Sequence, residues 1–480
     1  MTKMLTSEDN YIRMAAAIRD KLKTNTTYLP KEMPDAISSM EVDLKVTNGQ
    51  TVNYKSSGAD IPEKTFVEIV NGPLAEGLSD GGVGSNVVSG LTGLTLPLSI
   101  KIDDAKIFIV YYDNSALYGC ICDVSGNEPQ FSSSTLISNA GDVCAARSAT
   151  AHTFWAAKMS STQVVVVYQA KGAAPDTSLY HTYGVVVQVS GNTITHGTAI
   201  DLSTGSGTYK HCHVAVFSQN KIVFSSNDYS GGSDAVLYTV CSVSGSTLTT
   251  IYTSTLPSGI GAQGAIFFSM SDDRIVASLG KYDANDYYIV GSVGANSITF
   301  GQEYTVSDTA YGLREYDGIA VDSTHMFFTI GTIAYDGDVD CRGVLLEISG
   351  TSVVSHEKLY LGLENPSYAS LDKIDDTHLI VAFTNRNLSV VTISGNSFSR
   401  QSATFTAVPG TSVAGGVTVI DSYRAIFFIG NYNNSAYQVI SRTILGSLAI
   451  RPSQTRIDGI TGTTATSSTA GDVWVLDAGA

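Results

Sequence analysis

A unit that returns about seven times between residues 93 and 450 constrains this 480-residue chain more than any other feature. Each unit is a polar turn, an apolar strand, a Tyr/Asn/Asp-rich loop, a second apolar strand and a Ser-Gly turn. Asp103-Asp104 precedes Ile107 to Val110, Ser160-Ser161-Thr162 precedes Val164 to Val167, and Ser218-Gln219-Asn220 precedes Ile222-Val223-Phe224. Ser271-Asp272-Asp273, Asp322-Ser323-Thr324, Asp375-Asp376-Thr377 and Asp421-Ser422 head the later units. The strands recur roughly every 47 to 58 residues, the spacing of four-stranded propeller blades. The expected fold class is therefore all-β, a seven-bladed β-propeller with six to eight blades allowed. Its least certain strands are the first unit's innermost one (Leu94 to Ile100) and the last unit's outer one (Leu448 to Arg451).

Only 15% of the residues are charged, while Gly, Ser, Thr and Tyr abound, as many short strands and tight turns require. The formal net charge of −16 disfavours nucleic acid as a partner, since nothing concentrates the cations that phosphates need. No apolar run reaches the roughly 20 residues of a membrane helix, and Met1 to Thr6 carries no secretory apolar stretch, so the expectation is a soluble protein made in a cytoplasm. Six cysteines (120, 122, 144, 212, 241 and 341) show no disulfide spacing and are expected as free, mostly buried thiols. Cys120 and Cys122 share a strand face, where packing is the favoured role. His211-Cys212-His213 places two imidazoles on one face without further ligands nearby, so no metal and no cofactor is expected.

The first forty residues differ. Ser7 caps a helix with Glu8 and Asp9 in its first turn and Tyr11, Met14, Ala15, Ile18 and Leu22 on one face. Pro30 and Pro34 frame a second short helix through Ile37 and Met40. This hairpin, residues 1–42, is too small to stand alone and is expected to dock on another chain or a larger assembly. Residues 43–92 then alternate in β fashion around Asn48-Gly49 and through Phe66 to Val70. The glycine-rich stretch from Gly72 to Gly84 follows as an expected mobile connector. After the ring, residues 451–480 read as two short strands.

The run Tyr11 to Leu22 followed by Tyr28 to Ile37 resembles the opening of tail and fibre proteins of phages infecting Firmicutes and other gut bacteria. Ser57 to Glu68, and Ile457 to Ile460 with Thr469 to Val475, are similar to the two halves of a small β-module of phage virion decoration and fibre proteins. Together these pieces cover about a fifth of the chain. The resemblance implies a structural virion protein in which residues 1–92 and 451–480 contact other virion proteins. It also implies a trimeric homo-oligomer located in the virion and made in the bacterial cytoplasm. The propeller would then be inserted in a split β-module, a cheap insertion when its ends lie close together. A competing reading makes residues 43–92 a linker plus the outer strand that closes the ring.

Both sets of hairpin turns belong to one face of the ring and read as conformational. The opposite face collects the loops between second and third strands, where Tyr, Asp and Asn recur. Tyr112, Asp113, Asn114, Asn227, Asp228, Tyr229, Tyr282, Asp283, Asp286, Tyr335, Asp336, Asp338, Asn431 and Tyr432 are its candidate ligand contacts. Flat rings beside hydroxyl partners suit sugars, so host-surface glycan attachment is the leading expectation. The same residue types also build ordinary exposed turns. Asp336, Asp338 and Asp340 alternate as calcium ligands can, yet lack the glycine and terminal acid of a helix-loop-helix calcium site. Arg147, Arg314, Arg342 and Arg386 are too dispersed to assign to a sialidase-like carboxylate clamp, and no nucleophile or zinc motif occurs, so no enzyme is expected. The alternatives are a non-binding head decoration, head fibre or collar protein, and a propeller glycosidase.

Overall fold

A computed structural model gives the fold. It describes residues 51–56, 66–70, 84–87, 449–452, 459–461 and 471–475, and between 97 and 443 the strands named below with the short turns joining them. The expected helical hairpin over 1–42 lies outside the described residues. Every element among the described residues is a strand, and no helix there is long and apolar enough to cross a membrane.

The chain divides into two compact units, residues 1–79 with 443–480, and residues 80–442. In the first, five strands close a barrel in the order Thr51–Ser56, Ala449–Pro452, Phe66–Val70, Gly459–Thr461 and Gly471–Val475. Strands from the two ends of the sequence thus interleave, with Gly459–Thr461 and Gly471–Val475 side by side. Thr51–Ser56 pairs antiparallel with Gly471–Val475 and parallel with Ala449–Pro452. Closure leaves no free edge, a common way for a small all-β unit to avoid an aggregation-prone strand.

The second unit has a β-propeller arrangement. Six sheets are built from consecutive strands, first strand innermost. Sheet I holds Leu98–Asp103, Lys106–Asp113, Ala116–Asp123 and Gln130–Phe131, with Thr135–Leu136 on its third strand. Sheet II holds Phe154–Ser160, Gln163–Lys171, Tyr180–Ser190 and Thr193–His196, with Ile200–Asp201 beside the third. Sheet III holds Cys212–Ser218, Lys221–Ser226, Leu237–Ser244 and Thr247–Thr255. Sheet IV holds Gly264–Ser271, Arg274–Gly280, Asn285–Val293 and Ile298–Phe300, with Tyr304–Ser307 on its third strand. Sheet V holds Tyr311–Ala320, His325–Ile333, Val339–Ser349 and Ser352–Tyr360, and sheet VI holds Ala369–Asp375, His378–Phe383, Asn387–Ser394 and Ser397–Thr404.

A further sheet is composite. Ser412–Asp421, Arg424–Asn431 and Gln438–Thr443 take Gly84–Val87 as their fourth strand, with Ser85 opposite Ile440 and Asn86 opposite Val439. This corrects the expectation for Leu448 to Arg451. Ala449–Pro452 is not an outer blade strand but pairs in the barrel, Ile450 opposite Ile69. A short segment such as Leu448-Ala449-Ile450 carries a strand signal but none naming its partner, and adjacency in sequence does not supply one. Residue 84, the last of the expected connector, begins the strand that replaces it.

The local chemistry explains the hairpins. Asp103 Oδ1 accepts from Ala105 N at 2.8 Å, Asp322 Oδ1 from Thr324 N at 2.6 Å, and Asp375 Oδ1 from Thr377 N at 2.8 Å, so the head turns are Asx turns. Gly191, Gly245, Gly350 and Gly395 hold φ of 58° to 59° in the Ser-Gly turns, the left-handed region that glycine enters without steric cost. Gly301, just past the third strand's partner in sheet IV, lies so close to sheet V that an added Cβ would sit 1.9 Å from Thr351 O, and Gly197 stands in the same relation to Ser246 O. Neighbouring sheets stack through apolar faces: Phe268, Tyr288 and Val290 of sheet IV meet Phe328, Val344 and Leu346 of sheet V, and Phe327 and Leu345 of sheet V meet Leu379 and Phe398 of sheet VI. Ile107 and Ile109 of sheet I share a core with Ile420 and Ile426 of the composite sheet.

Candidate functional site

Because successive strands are antiparallel, both hairpin turns of a sheet leave one edge and the second-to-third loops leave the other. Four of the candidate ligand residues are described, Tyr112, Asp113, Asp286 and Asn431. Tyr112 and Asp113 end the second strand of sheet I, with Tyr112 half-buried against the core shared with sheet II, and Asn431 ends the second strand of the composite sheet. Asp286 lies inside the third strand of sheet IV opposite Val306 and is only 3% exposed, so it belongs to the sheet interior rather than to an open rim. Asn114, Asn227, Asp228, Tyr229, Tyr282, Asp283, Tyr335, Asp336, Asp338 and Tyr432 lie outside the described residues. Asp340 pairs with Thr332 on the third strand of sheet V.

The described part of the same edge carries three residues that the sequence reading did not join. Tyr360 ends the outer strand of sheet V with its ring 43% exposed. Arg342 stands directly opposite it on the third strand, which puts the two side chains on one face about 5 Å apart at Cβ. From sheet VI, Arg400 donates to Leu361 O and lays its guanidinium 5.7 Å from the centre of the Tyr360 ring. Further along the same strand Tyr304 of sheet IV meets His356 at 2.9 Å, hydroxyl to Nδ1. Burial, then the nearby Lys358, holds the His356 pKa below its ordinary value. Arg342 was noticed in the sequence but set aside as dispersed. The pairing register brings it to Tyr360 eighteen residues away, and no linear pattern announces that.

The inner strands carry the other polar cluster. Asp372 Oδ2 accepts from Val419 N at 2.7 Å, and Lys373 Nζ and Lys101 Nζ donate to Val321 O and Ile420 O at 2.6 Å each. Each of these bonds joins one sheet to its neighbour at an inner strand edge, where backbone groups lack a ladder partner. Loss of surrounding water pushes the Asp372 carboxyl up to about 6, against the lowering pull of the Val419 and Lys373 N–H groups and of Lys101. On the hairpin-turn edge His325 bridges sheets V and VI. Its Nδ1 lies 2.8 Å from Asp322 Oδ2 and its Nε2 2.9 Å from Asn396 Oδ1, while Asn396 Nδ2 donates to Glu347 at 2.6 Å. Burial alone would lower the His325 pKa, but the bonds to Asn396 and Asp322 outweigh it and raise it. These clusters hold sheets together.

The cysteines at 120, 122, 212, 241 and 341 are buried free thiols, and burial pushes Cys120 up to about 12 and Cys122 further. Such thiols are inert at neutral pH. His213 packs its ring 3.9 Å from Trp155 and 4.7 Å from Phe268, an aromatic environment rather than a metal site, and its neighbour Cys212 donates weakly to Val167 O. His211 and Cys144 lie outside the described residues. No group of three His, Cys, Asp or Glu residues placed to hold a metal occurs among the described residues.

No family model matches the chain, and no curated protein matches it. Among solved structures the chain is similar to the NanB sialidase from Streptococcus pneumoniae, at 10% identity over 76% of this chain and 70% of that one, with a TM-score of 0.40. It is also similar to a structure from a study of two prolyl endopeptidases, at 11% identity over 75% of this chain and 49% of that one, with a TM-score of 0.37. The chain thus spans about half the length of the latter. Likenesses this remote carry nothing about activity.

Proposed function

We propose that this is a structural phage virion protein, anchored through residues 1–92 and 451–480, that displays a propeller for attachment to a glycan on the host surface. In this reading the composite sheet is the seventh blade of the ring. One observation carries the proposal: strands from both ends of the sequence interleave in one small barrel, while residues 80–442 form a separate unit. An anchor made from both chain ends holds an inserted unit by two connections, which suits a module that is displayed and then loaded by contact with a cell. Repetition of weak sites over several copies supplies avidity without a deep pocket.

A glycan array probed with the full chain tests the reading. Reproducible binding to bacterial surface glycans is the expected result. Silence at high concentration would remove attachment and leave a decoration or spacer role, and release of reducing sugar from host cell walls would replace both with a glycosidase.

A further inference from the structure

The end of the outer strand of sheet V combines aromatic surface and positive charge on a chain whose formal net charge is −16. Tyr360 is one of three large apolar or aromatic side chains exposed among the described residues, with Leu136 and Val354. An exposed tyrosine ring is ordinary by itself. Here one guanidinium, Arg400, lies over the ring, and a second, Arg342, is its directly paired cross-strand neighbour. Lys358 precedes Tyr360 by two residues and therefore shares its strand face. Acids among the described residues nearby are Asp340, two residues before Arg342 on its strand, Glu303, beside Tyr304 in sequence, and Glu357, whose Oε2 is engaged by Phe398 N at 2.7 Å on the opposite strand face.

The bond from Arg400 to Leu361 O matters to this arrangement. It fixes the planar group in place before any ligand arrives, so less side-chain freedom remains to be lost on binding. Arg400 Nη1 donates to that carbonyl, and a guanidinium carries five N–H donors in a planar fork whose geometry suits an oxyanion. His356 and Tyr304 lie four residues back along the strand, about 13 Å at strand rise, which leaves room for a short oligosaccharide.

We infer that this strip, from Tyr360 with Arg342 and Arg400 towards Lys358, takes a saccharide bearing an oxyanion. A sugar ring packs on Tyr360 while its carboxylate or phosphate is held by the arginines. The inference rests on the glycan-attachment reading and goes further by naming the charge of the ligand and the residues that recognise it.

The test measures binding of the full chain to three soluble probes: an oligogalacturonate, a polyglycerol phosphate oligomer and a neutral dextran oligomer. Each is measured with the wild-type protein, Arg400→Gln and Tyr360→Ala, with thermal melting as a folding control and Arg400→Lys as the milder variant. The expected result is binding of an anionic probe that weakens as salt rises and falls tenfold or more in Arg400→Gln and Tyr360→Ala at unchanged melting temperature. Preference for oligogalacturonate identifies the group as a carboxylate, and preference for polyglycerol phosphate identifies it as a phosphodiester. Anionic binding that neither substitution alters, or binding of dextran alone, overturns the strip while leaving glycan attachment standing. Silence of these probes alongside silence of the glycan array removes both.

Discussion

Two arcs of the propeller hold their sheets together by different chemistry. Between sheets III and IV the described inner bridges are uncharged, and between IV and V a close backbone approach stands beside the bonds of Arg274 to Ser323 O and of Tyr304 to His356. Ser225 and Ser269 hydroxyls donate to Ala265 O and Val216 O, and Gly301 lets Thr351 O approach closely. From sheet V through VI and the composite sheet to sheet I, the bridges are ionisable: Asp317 Oδ2 takes Leu371 N at 3.2 Å, Asp372 takes Val419 N, and Lys373 and Lys101 cap carbonyls of the preceding sheet. The second arc contains the sheet completed by a strand more than 350 residues away in sequence. Its buried carboxylate at Asp372 gives it a pH response, while the close approach at Gly301 makes the first arc answer to volume.

The largest expected effect is steric and falls on the first arc. Gly301→Ala forces a methyl group against a backbone carbonyl that cannot swing aside, and should cost about 3 kcal/mol, read as a lowered midpoint in urea unfolding. A midpoint within error of the wild type would mean that sheets IV and V do not meet as closely as described.

The charged arc gives a pH signature of up to about 3 kcal/mol. Asp372 has a folded pKa of about 6 against 3.8 unfolded, so the folded state binds the extra proton between these values. Its contribution is most favourable below pH 4 and is lost as pH rises to about 6. Asp372→Asn should keep the acceptor for Val419 N, remove this slope, and gain stability on the wild type as pH rises from 4 to 7. Equal pH profiles for the two proteins would place Asp372 in water.

A smaller effect sharpens the contrast at the V–VI seam. His325 has a raised pKa, so its contribution is fully present below pH 6.5 and fades as pH rises through the folded value. His325→Ala should lower the melting temperature more at pH 6 than at pH 8; the reverse order would contradict the bridge to Asp322 and Asn396. Smallest is Gly350→Ala, about 1 kcal/mol, because its φ of 59° disfavours a side chain but nothing lies within 4 Å of the added Cβ. A loss as large as that of Gly301→Ala would show that this turn is packed rather than exposed.

The same contrast explains what could be read from the residues. Sheets I to VI are made of neighbours in sequence, so Val164 to Val167 or Leu379 to Val381 declare strands, and Gly191 or Gly395 declares the turn that pairs them. The partner of Gln438–Thr443 lies more than 350 residues away in sequence, a long-range pairing that leaves no local mark, whereas Ala449–Pro452 stands next in sequence and pairs elsewhere. The Tyr360 strip was hidden for a related reason. Arg342 and Tyr360 meet through register, Arg400 arrives from the next sheet, and each looks ordinary within its own strand. Tyrosine and aspartate in loops were visible, whereas the burial of Asp286 depends on the Tyr304–Ser307 strand laid beside it.

The central claim is that Gly84–Val87 completes the composite sheet as its fourth strand. Its most direct test is a disulfide between Ser85→Cys and Ile440→Cys, positions paired in register and within reach of a strain-free bridge. Mild oxidation should cross-link them in high yield within one chain, seen as faster migration on a non-reducing gel, and raise the melting temperature of residues 80–442. Failure to cross-link in folded protein, or a bridge that forms only between chains, would contradict it.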